Sequence, residues 1–485
     1  MIRAAIASLL LCLWTGAALA QPYPTPPPPG PPRPLTIAAP SEQRLANGLR
    51  VVVAQRRDVP LVSSQLVVLA GAENDPPRLA GLASLAAGLL TQGTRQHTAP
   101  ELAAAAEALG GSLDSGAGWN QTTISITVTT PKLDAALALV AEVATQPVFA
   151  AAELDRLRKQ ALDGLKVAYA SPGTVASLAA QRLAVGSGPY GHPASGTPAS
   201  LPRIGPADLV ALHRATFRPD NAVLILAGDV TPAAALALAQ RHFGAWTGRA
   251  GAAPKPAAAG TTRGDATAPI VVVDMADAGQ AAVMLASVLP VQQGADWAVG
   301  SVTNTILGGG QSSRLNQEIR IRRGLSYGAG SGIDARGEAA PLFLASVQTK
   351  NESAPEVVAL LNAEIDRFIS GGVEADELAA RKTALIGGFS RSVETTSGLA
   401  NAIRGLIITG RSPADLTTRI QALQAVSAAD VQRYAAARLG PDRRRIVVAG
   451  DAGQFAAALA KIAPAIVTVP LADLDLEQDE GLIRR

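Results

Sequence analysis

Arg320 and Tyr327 carry hydrogen-bond donors suited to an oxygen atom that bears negative charge, and they lie seven residues apart. Both belong to the segment LGGGQSSRLNQEIRIRRGLSYG, residues 307–328. An arginine fork and a phenolic hydroxyl can donate to a peptide carbonyl or to a developing oxyanion. The local sequence also admits a plainer arrangement, in which the arginines coat a solvated helix face and the tyrosine packs in a sheet. The segment opens with a flexible glycine loop, namely Gly308, Gly309 and Gly310.

Other catalytic motifs are missing from the sequence. The chain has four histidines, and no two of them lie within five residues of each other, so the H-x-x-E-H and H-x-x-x-H zinc spacings do not occur. There is no G-x-S-x-G elbow, and the glycine loop is followed by QSSRL rather than by the Lys of a phosphate-binding loop. We therefore assign no metal to this chain. The histidines are His97, His192, His213 and His242.

The elements that must position Arg320 and Tyr327 occur in two copies along the chain. The segment ELDRLRKQALDGL begins at Glu153, and ELAARKTALIGGF begins 224 residues later at Glu377. AVLILAGDV and RRIVVAGDA, each preceded by Pro-Asp and one further residue, are offset by 222 residues. Two nearly equal offsets indicate a tandem duplication. In each copy the strands come early, the helices follow and a strand returns late. This order predicts an α+β fold of two homologous α/β sandwich domains, each with an antiparallel-rich sheet and helices on one face.

LGGG-x-SSRL followed by R-x-x-R-G-L-x-Y, within a duplicated α+β chain, resembles the insulinase and mitochondrial-processing-peptidase family, the pitrilysin or inverzincin zinc peptidases. The resemblance covers residues 39–452, both halves in order. In that family the first domain carries H-x-x-E-H and a distal Glu, and the second supplies an Arg and a Tyr that contact the substrate. The resemblance implies that Arg320 holds a substrate carbonyl and that Tyr327 helps to stabilise the tetrahedral oxyanion.

The segment that corresponds to the family's zinc motif, GLASLAAGLLTQGT at residues 81–94, lacks the ligands. Ser84 and Gly88 replace the two histidines, and Ala87 replaces the glutamate that acts as general base. The distal acidic ligand falls at Gly164, beside Asp163. Because Ser, Ala and Gly neither bind zinc nor activate its water, we expect the chain to be catalytically inactive alone.

The N-terminus predicts a protein that is exported from the cytoplasm, and the composition predicts that it does not bind nucleic acids. Residues 1–20 read as a signal peptide cleaved after Ala20, which predicts a periplasmic or secreted protein. A net charge of +3 and only 3% aromatic residues argue against nucleic-acid binding. No long apolar run follows the signal, so we expect no membrane span in the mature chain. The expected order is the signal peptide at 1–20, a Pro-rich spacer at 21–40, an N-terminal domain at 41–248, a linker at 249–269, a C-terminal domain at 270–470 and a tail at 471–485. We expect this tail to be solvated from Asp473 onward.

The resemblance therefore implies the non-catalytic, substrate-binding subunit of a heterodimeric zinc endopeptidase. Zinc is expected on a homologous H-x-x-E-H partner, and peptides or unfolded protein segments are the expected substrates. Two alternatives stay open from the sequence. One is a non-enzymatic peptide-binding module or envelope assembly scaffold derived from a peptidase, and the other is residual catalysis through an unforeseen metal site.

Overall fold

Each half of the chain is built around a six-stranded mixed sheet. The computed structural model describes residues 37–76, 78–248, 270–292, 294–337, 341–463, 465–477 and 482. The expected signal peptide and the expected linker lie outside these residues. The domain boundaries drawn beside them therefore stay predictions.

The sheet of the first half has the order β1-β2-β6-β3-β5-β4, in which β2 and β6 run parallel and the other neighbours antiparallel. Strand β6 has the sequence AVLILAG and is buried along its whole length, as an unbroken apolar strand at the centre of a sheet should be. The strands are β1 (Ser41–Arg44), β2 (Arg50–Gln55), β3 (Leu61–Val68), β4 (Asp114–Ala117), β5 (Thr122–Thr129) and β6 (Ala222–Gly228).

Helices cover one face of this sheet with an apolar surface rich in Leu and Ala. Helix α1 contributes LASLAAGLL, whose leucines are all buried in the core of the first half. The helices are α1 (Leu82–Leu90), α2 (Ala99–Ala108), α3 (Leu133–Thr145), α4 (Ala151–Tyr169), α5 (Pro172–Val185), α6 (Pro206–Thr216) and α7 (Pro232–Phe243).

The second half repeats this plan with the sheet order β12-β7-β11-β8-β10-β9. Strands β2 to β6 correspond in order to β7 to β11, whereas the outermost strands β1 and β12 come from opposite ends of the chain. The strands are β7 (Ile270–Asp274), β8 (Ala281–Val288), β9 (Ala329–Asp334), β10 (Leu342–Thr349), β11 (Arg445–Gly450) and β12 (Ile466–Pro470). The helices are α8 (Asp296–Leu307), α9 (Arg314–Asn316), α10 (Ala354–Gly371), α11 (Ala375–Ser392), α12 (Thr396–Ile408), α13 (Asp415–Ala425), α14 (Ala428–Arg438) and α15 (Ala456–Leu459).

The two halves exchange one helix each. Helix α5 of the first half packs on the sheet of the second, where Val175 and Ala179 join Val447 in a buried cluster. Helix α12 of the second half packs on the first sheet, where Ile403 lies in one cluster with Ile225. A fully buried Val or Ile contributes about 2 kcal/mol of transfer free energy. Without the other half, the face of each sheet that the exchanged helix covers would be exposed. Residues from Ile37 onward accordingly form one compact unit.

The prediction of two tandem α/β sandwich halves is confirmed, with one addition. Helices were expected on one face of each sheet, and the exchanged helix covers the other face as well. None of the helices within the described ranges has both the length and the apolar character that a bilayer crossing requires.

The prediction that the tail is solvated from Asp473 onward is wrong for residues 474–477, whereas Asp473 itself is exposed. Leu474 and Leu476 are buried in the cluster around α5, and the Glu477 carboxylate lies 2.8 Å from Nη1 of Arg203. The reason is that the acidic residues of this segment alternate with leucines, so that one side of it is apolar.

Candidate functional site

Arg320 lies on a short helical segment in which the backbone hydrogen bonds change from the α-helical to the π-helical pattern. Helix α9 continues directly into a π-helical turn, Gln317–Arg322. Ile319 is buried in the core and anchors this turn, and its carbonyl accepts a hydrogen bond from the Leu325 backbone N–H at 3.0 Å. Wide turns of this kind occur often at functional sites. The turn places Arg320 at the surface, where its side chain is partly exposed.

Four arginines stand in residues 307–328, and carboxylates hold three of them. Arg314 pairs with Glu377 at 2.6 Å, and Arg322 pairs with Glu318 at 2.9 Å. Arg323 lies 3.0 Å from Glu318 and 3.1 Å from Glu356. Hydrogen bonds from Arg323 and then Arg322 lower the pKa of the Glu318 carboxyl, which keeps it ionised.

Arg320 is the exception among the four. Within the described residues it has no carboxylate partner, and its Nη1 donates instead to the side-chain amide oxygen of Gln311. Gln311 follows the glycine loop directly, and its backbone carbonyl accepts a hydrogen bond from the Asn316 side chain at 2.5 Å. A neutral amide orients the guanidinium without neutralising it. Arg320 therefore keeps its charge available for an oxygen of a ligand.

The glycine loop packs tightly at two of its three positions. A Cβ on Gly308 would lie 2.3 Å from Oγ of Ser331, and one on Gly309 would lie 2.7 Å from Cα of Thr305. A Cβ on Gly310 would meet nothing within 4 Å. Gly308 and Gly309 thus allow the loop to pass close to β9 and to the end of α8. The flexibility expected of this loop stays a prediction.

Tyr327 lies in the loop before β9 and not on the strand itself. The side chain is 93% exposed. Oγ of Ser326 donates to the Gly328 carbonyl at 2.7 Å and accepts from the Gly328 N–H at 3.0 Å, which fixes the turn around the tyrosine. The alternative in which Tyr327 packs within the sheet is excluded by its exposure.

Tyr327 borders a cleft of about 740 Å³ between the start of α5 and strands β8 and β10. The described residues that line this cleft are uncharged, and several carry hydroxyl or amide groups, such as Ser177 and Gln348. Arg320 does not line the same cleft. Convergence of Arg320 and Tyr327 on one oxygen atom therefore stays a prediction.

The first half contains an equivalent cleft of about 570 Å³ between the start of α12 and strands β3 and β5. Charged groups line it, among them Asp114 and Arg404, and Nη1 of Arg404 lies 3.3 Å from Oε1 of Gln65. The loop that corresponds to Ser326–Gly328 contributes Gly110, Gly111 and Ser112. The exposed tyrosine is thus a feature of the second half alone.

The degenerate zinc motif lies on α1, which packs against α4. Oγ of Ser84 donates to the Ala194 carbonyl at 2.9 Å, and Ala87 is 1% exposed. Gly88 faces Leu157, which a Cβ would meet at 3.5 Å, and a Cβ on Gly164 would meet nothing within 4 Å. At the three positions where the resemblance predicts metal ligands, this helix pair therefore carries a hydroxyl that is already bonded to the backbone and two glycines.

The residues present do not fit a zinc ion. Within the described residues no group of three or more His, Cys, Asp or Glu side chains is arranged to hold a metal. Each histidine lies near a carboxylate or a backbone carbonyl. His97 lies 2.9 Å from Glu142, His192 3.6 Å from Asp75, His213 2.9 Å from the Ala144 carbonyl and His242 2.6 Å from Asp134.

Sequence reasoning missed a buried arginine that ties the halves together. Arg336, after β9, is 1% exposed and lies over the rings of Trp119 at 4.6 Å and Tyr190 at 5.8 Å. It also donates to the Tyr190 carbonyl at 2.7 Å and to Gln181 of α5 at 2.6 Å. The sequence feature that could have indicated this cluster is the scarcity of aromatic residues, because Trp119 and Tyr190 are among the few in the chain.

A duplicated α+β fold of two six-stranded sheets with exchanged helices is the architecture expected of a peptidase-like protein. Two family descriptions match the chain, "Insulinase (Peptidase family M16)" over residues 50–196 and "Peptidase M16 inactive domain" over residues 203–385. The chain belongs to peptidase family M16, and the resemblance read from the sequence is confirmed.

Relatives and solved structures agree with this assignment over nearly their whole lengths. An uncharacterized zinc protease of Mycobacterium tuberculosis is 28% identical over 422 residues, 84% of this chain and 94% of that protein. The M16 inactive-domain structure from Pseudomonas fluorescens has a TM-score of 0.78 and 27% identity, and covers 85% of this chain and 98% of its own. A protease structure from Helicobacter pylori has a TM-score of 0.79 at 19% identity, with 85% and 100% covered, and supports the fold alone.

Proposed function

We propose that this protein is the non-catalytic, substrate-binding subunit of a heterodimeric zinc endopeptidase. The zinc is held by a homologous partner chain that carries H-x-x-E-H, and this chain supplies Arg320 and Tyr327 to the shared substrate chamber. The observation that carries the proposal is that these two donors are left available. Carboxylates hold the neighbouring arginines of the segment, whereas Arg320 meets only a neutral amide and Tyr327 is 93% exposed.

Each side chain has a task that follows from its chemistry. The planar guanidinium of Arg320 donates to a substrate carbonyl and fixes the peptide in register. The Tyr327 hydroxyl donates to the oxygen on which charge develops in the transition state, and a donor aimed at that oxygen is worth about 3 kcal/mol. The partner's zinc supplies the hydrolytic chemistry, which Ser84, Ala87 and Gly88 of this chain cannot supply.

Two further observations support the proposal. Several relatives bear the name zinc protease, whereas a relative from Helicobacter pylori is named a non-peptidase homolog, so both kinds of name occur among the relatives of this chain. The N-terminal 20 residues have the pattern of a secretory signal, and we place the complex in the periplasm or outside the cell on that basis.

Tyr327→Phe in the assembled complex tests the proposed role. We expect kcat/KM to fall at least about tenfold, equivalent to about 1.4 kcal/mol of transition-state stabilisation. Because the side chain is exposed, the thermal unfolding temperature should not change. An unchanged kcat/KM in an intact complex would contradict the role assigned to Tyr327. Peptide binding without any hydrolytic partner would favour the scaffold alternative.

A further inference from the structure

The second half contains a cavity of about 800 Å³ bordered by α8, α11 and α12. Its volume falls within the range of pockets that enclose small ligands. In order along the chain, α8 and α11 are the counterparts of α1 and α4, which carry the degenerate zinc motif. The cavity therefore lies in the second half at the position that corresponds to the degenerate zinc motif of the first half. Neither Arg320 nor Tyr327 lines it, so binding of a ligand in this cavity does not depend on the proposed function.

Two guanidinium groups lie over Trp297 in the wall of this cavity. Cζ of Arg411 is 4.3 Å from the ring centroid, and Cζ of Arg419 is 4.6 Å from it. Arg419 also lies 5.1 Å from the centroid of Phe389. Contact with two aromatic rings holds the Arg419 guanidinium in place without neutralising its charge.

The charge of Arg419 is not compensated. Nε of Arg411 lies 3.2 Å from the Asp415 carboxylate, whereas Arg419 makes no hydrogen bond or ion pair within the described residues and its Nε is buried without a partner. Burial, and to a smaller extent the neighbouring Arg411, lowers the pKa of Arg419. No Asp or Glu is found among the described residues that line the cavity. Arg419 is partly buried, and an anionic ligand would stabilise a partly buried cation that has no counter-ion.

The rest of the wall combines apolar side chains with amides. Ile333, Leu385 and Phe389 offer apolar surface, and Gln292 and Asn304 offer side-chain amides. An apolar wall interrupted by hydrogen-bonding groups suits a peptide, whose backbone needs donors and acceptors, better than it suits an acyl chain.

We propose that this cavity binds the C-terminal end of a peptide, with the free carboxylate at Arg419 and the last side chain, an apolar one, against Ile333 and Leu385. The charge-assisted hydrogen bonds of a guanidinium to a carboxylate provide the anchor. The peptide is a second ligand of this chain, bound away from the cleft of Tyr327.

Isothermal titration calorimetry of the mature chain with a hexapeptide ending in Ala-Leu tests the proposal. The peptide is titrated once with a free C-terminal carboxylate and once as the C-terminal amide. We expect the acid to bind at least about tenfold more tightly than the amide, since the amide cannot pair with Arg419. This comparison uses the unaltered protein and does not depend on whether any variant folds.

Variants then locate the site. Arg419→Gln should abolish the preference for the acid, and Arg419→Lys should keep part of it because the charge remains. Arg433→Gln is the matched control, since Arg433 is 71% exposed and pairs with Asp430, and it should leave the preference unchanged. Equal binding of acid and amide, or a preference that survives Arg419→Gln, would overturn the proposal. Tighter binding of dodecanoate than of the acid peptide would overturn the peptide assignment and indicate an acyl ligand.

Discussion

The side-chain amide of Gln311 accepts a hydrogen bond from Nη1 of Arg320, whereas Glu318 takes both Arg322 and Arg323 as partners. Among the described residues Arg320 therefore has no ion-pair partner, whereas Arg322 and Arg323 form ion pairs that stabilise the turn. An ion pair would have to be broken before either of these two neighbours could hold a substrate.

The variants Arg320→Ala and Arg322→Ala form a matched pair that tests this difference between the two arginines. In the assembled complex we expect Arg320→Ala to lower kcat/KM at least about tenfold, because a donor to the substrate is lost. Arg322 is 67% exposed, and Arg323 remains beside Glu318 when Arg322 is removed, so Arg322→Ala should change kcat/KM by less than about twofold. Equal losses in steady-state peptide cleavage by the two variants would show that Arg320 has no special role.

The glycine loop offers a second matched pair. Gly308→Ala should lower the free energy of unfolding by about 1–3 kcal/mol, since the new Cβ would lie 2.3 Å from Ser331 Oγ and 2.4 Å from its backbone nitrogen. Gly310→Ala has open space and should be neutral within about 0.5 kcal/mol. Urea unfolding followed by circular dichroism measures both. A neutral Gly308→Ala would mean that the loop does not pack against β9 in solution.

Rebuilding the metal ligands tests whether the helix pair α1 and α4 keeps the arrangement of a zinc site. The triple variant Ser84→His, Gly88→His and Gly164→Glu should bind about one zinc per chain, because two imidazoles one helical turn apart would face a carboxylate on α4. A Cβ on Gly88 would meet Leu157 at an ordinary contact distance of 3.5 Å, and one on Gly164 would meet nothing within 4 Å. With Ala87 unchanged, no general base is restored, and the variant should bind zinc without cleaving peptides.

Zinc is counted by elemental mass spectrometry after dialysis, and the Gly164→Glu single variant serves as the control. We expect no stoichiometric zinc in the control or in the unaltered chain. A triple variant that stays folded but takes up no zinc would show that the helices have moved apart.

Glu73 predicts a dependence of stability on pH. Burial, opposed by hydrogen bonds such as that from the Gly71 N–H, raises the pKa of Glu73 to about 7, from 4.5. Between these two values the folded state binds a proton that the unfolded state releases. The free energy of unfolding should therefore fall as pH rises from about 4.5 to 7, by at most about 1.4 kcal/mol per pH unit.

Glu73→Gln removes this titration, and its stability should decline less over the same pH range. Urea unfolding at several pH values measures the difference between the variant and the unaltered chain, with Glu107→Gln on exposed α2 as control. Parallel pH profiles for Glu73→Gln and the unaltered chain would contradict the raised pKa.

The sequence predicts those elements that have a clear pattern of apolar and polar residues of their own. Ile124, Ile126 and Val128 alternate with polar residues, a pattern that indicates a half-buried strand, and they lie on β5. The unbroken apolar sequence of β6 forms the buried central strand. Strand β4, with the sequence DSGA, has neither an apolar pattern nor β-branched residues, and its pairing with β5 decides its structure. The sequence could not predict it, because the stabilising contacts come from the neighbouring strand.

The exchange of α5 and α12 and the pairing of the arginines depend on tertiary contacts. An Ala-rich face such as that of α5 fits either sheet equally well, so its sequence does not tell which half it covers. Likewise, four arginines within one segment look alike until Glu318, Glu356 and Glu377 are placed beside three of them. The motif identified Arg320 as a candidate. The fold shows that, among the described residues, it is the one arginine of this segment without a carboxylate partner.

Capture of the mature chain from its native envelope extract tests the central claim most directly. The chain is purified through a tag, and proteins recovered in near-equal amount are identified by mass spectrometry. We predict a homologous partner that contains H-x-x-E-H, with zinc-dependent peptide cleavage in the purified complex. Recovery of the chain alone, or only with proteins that lack this motif, would contradict the assignment as a peptidase subunit.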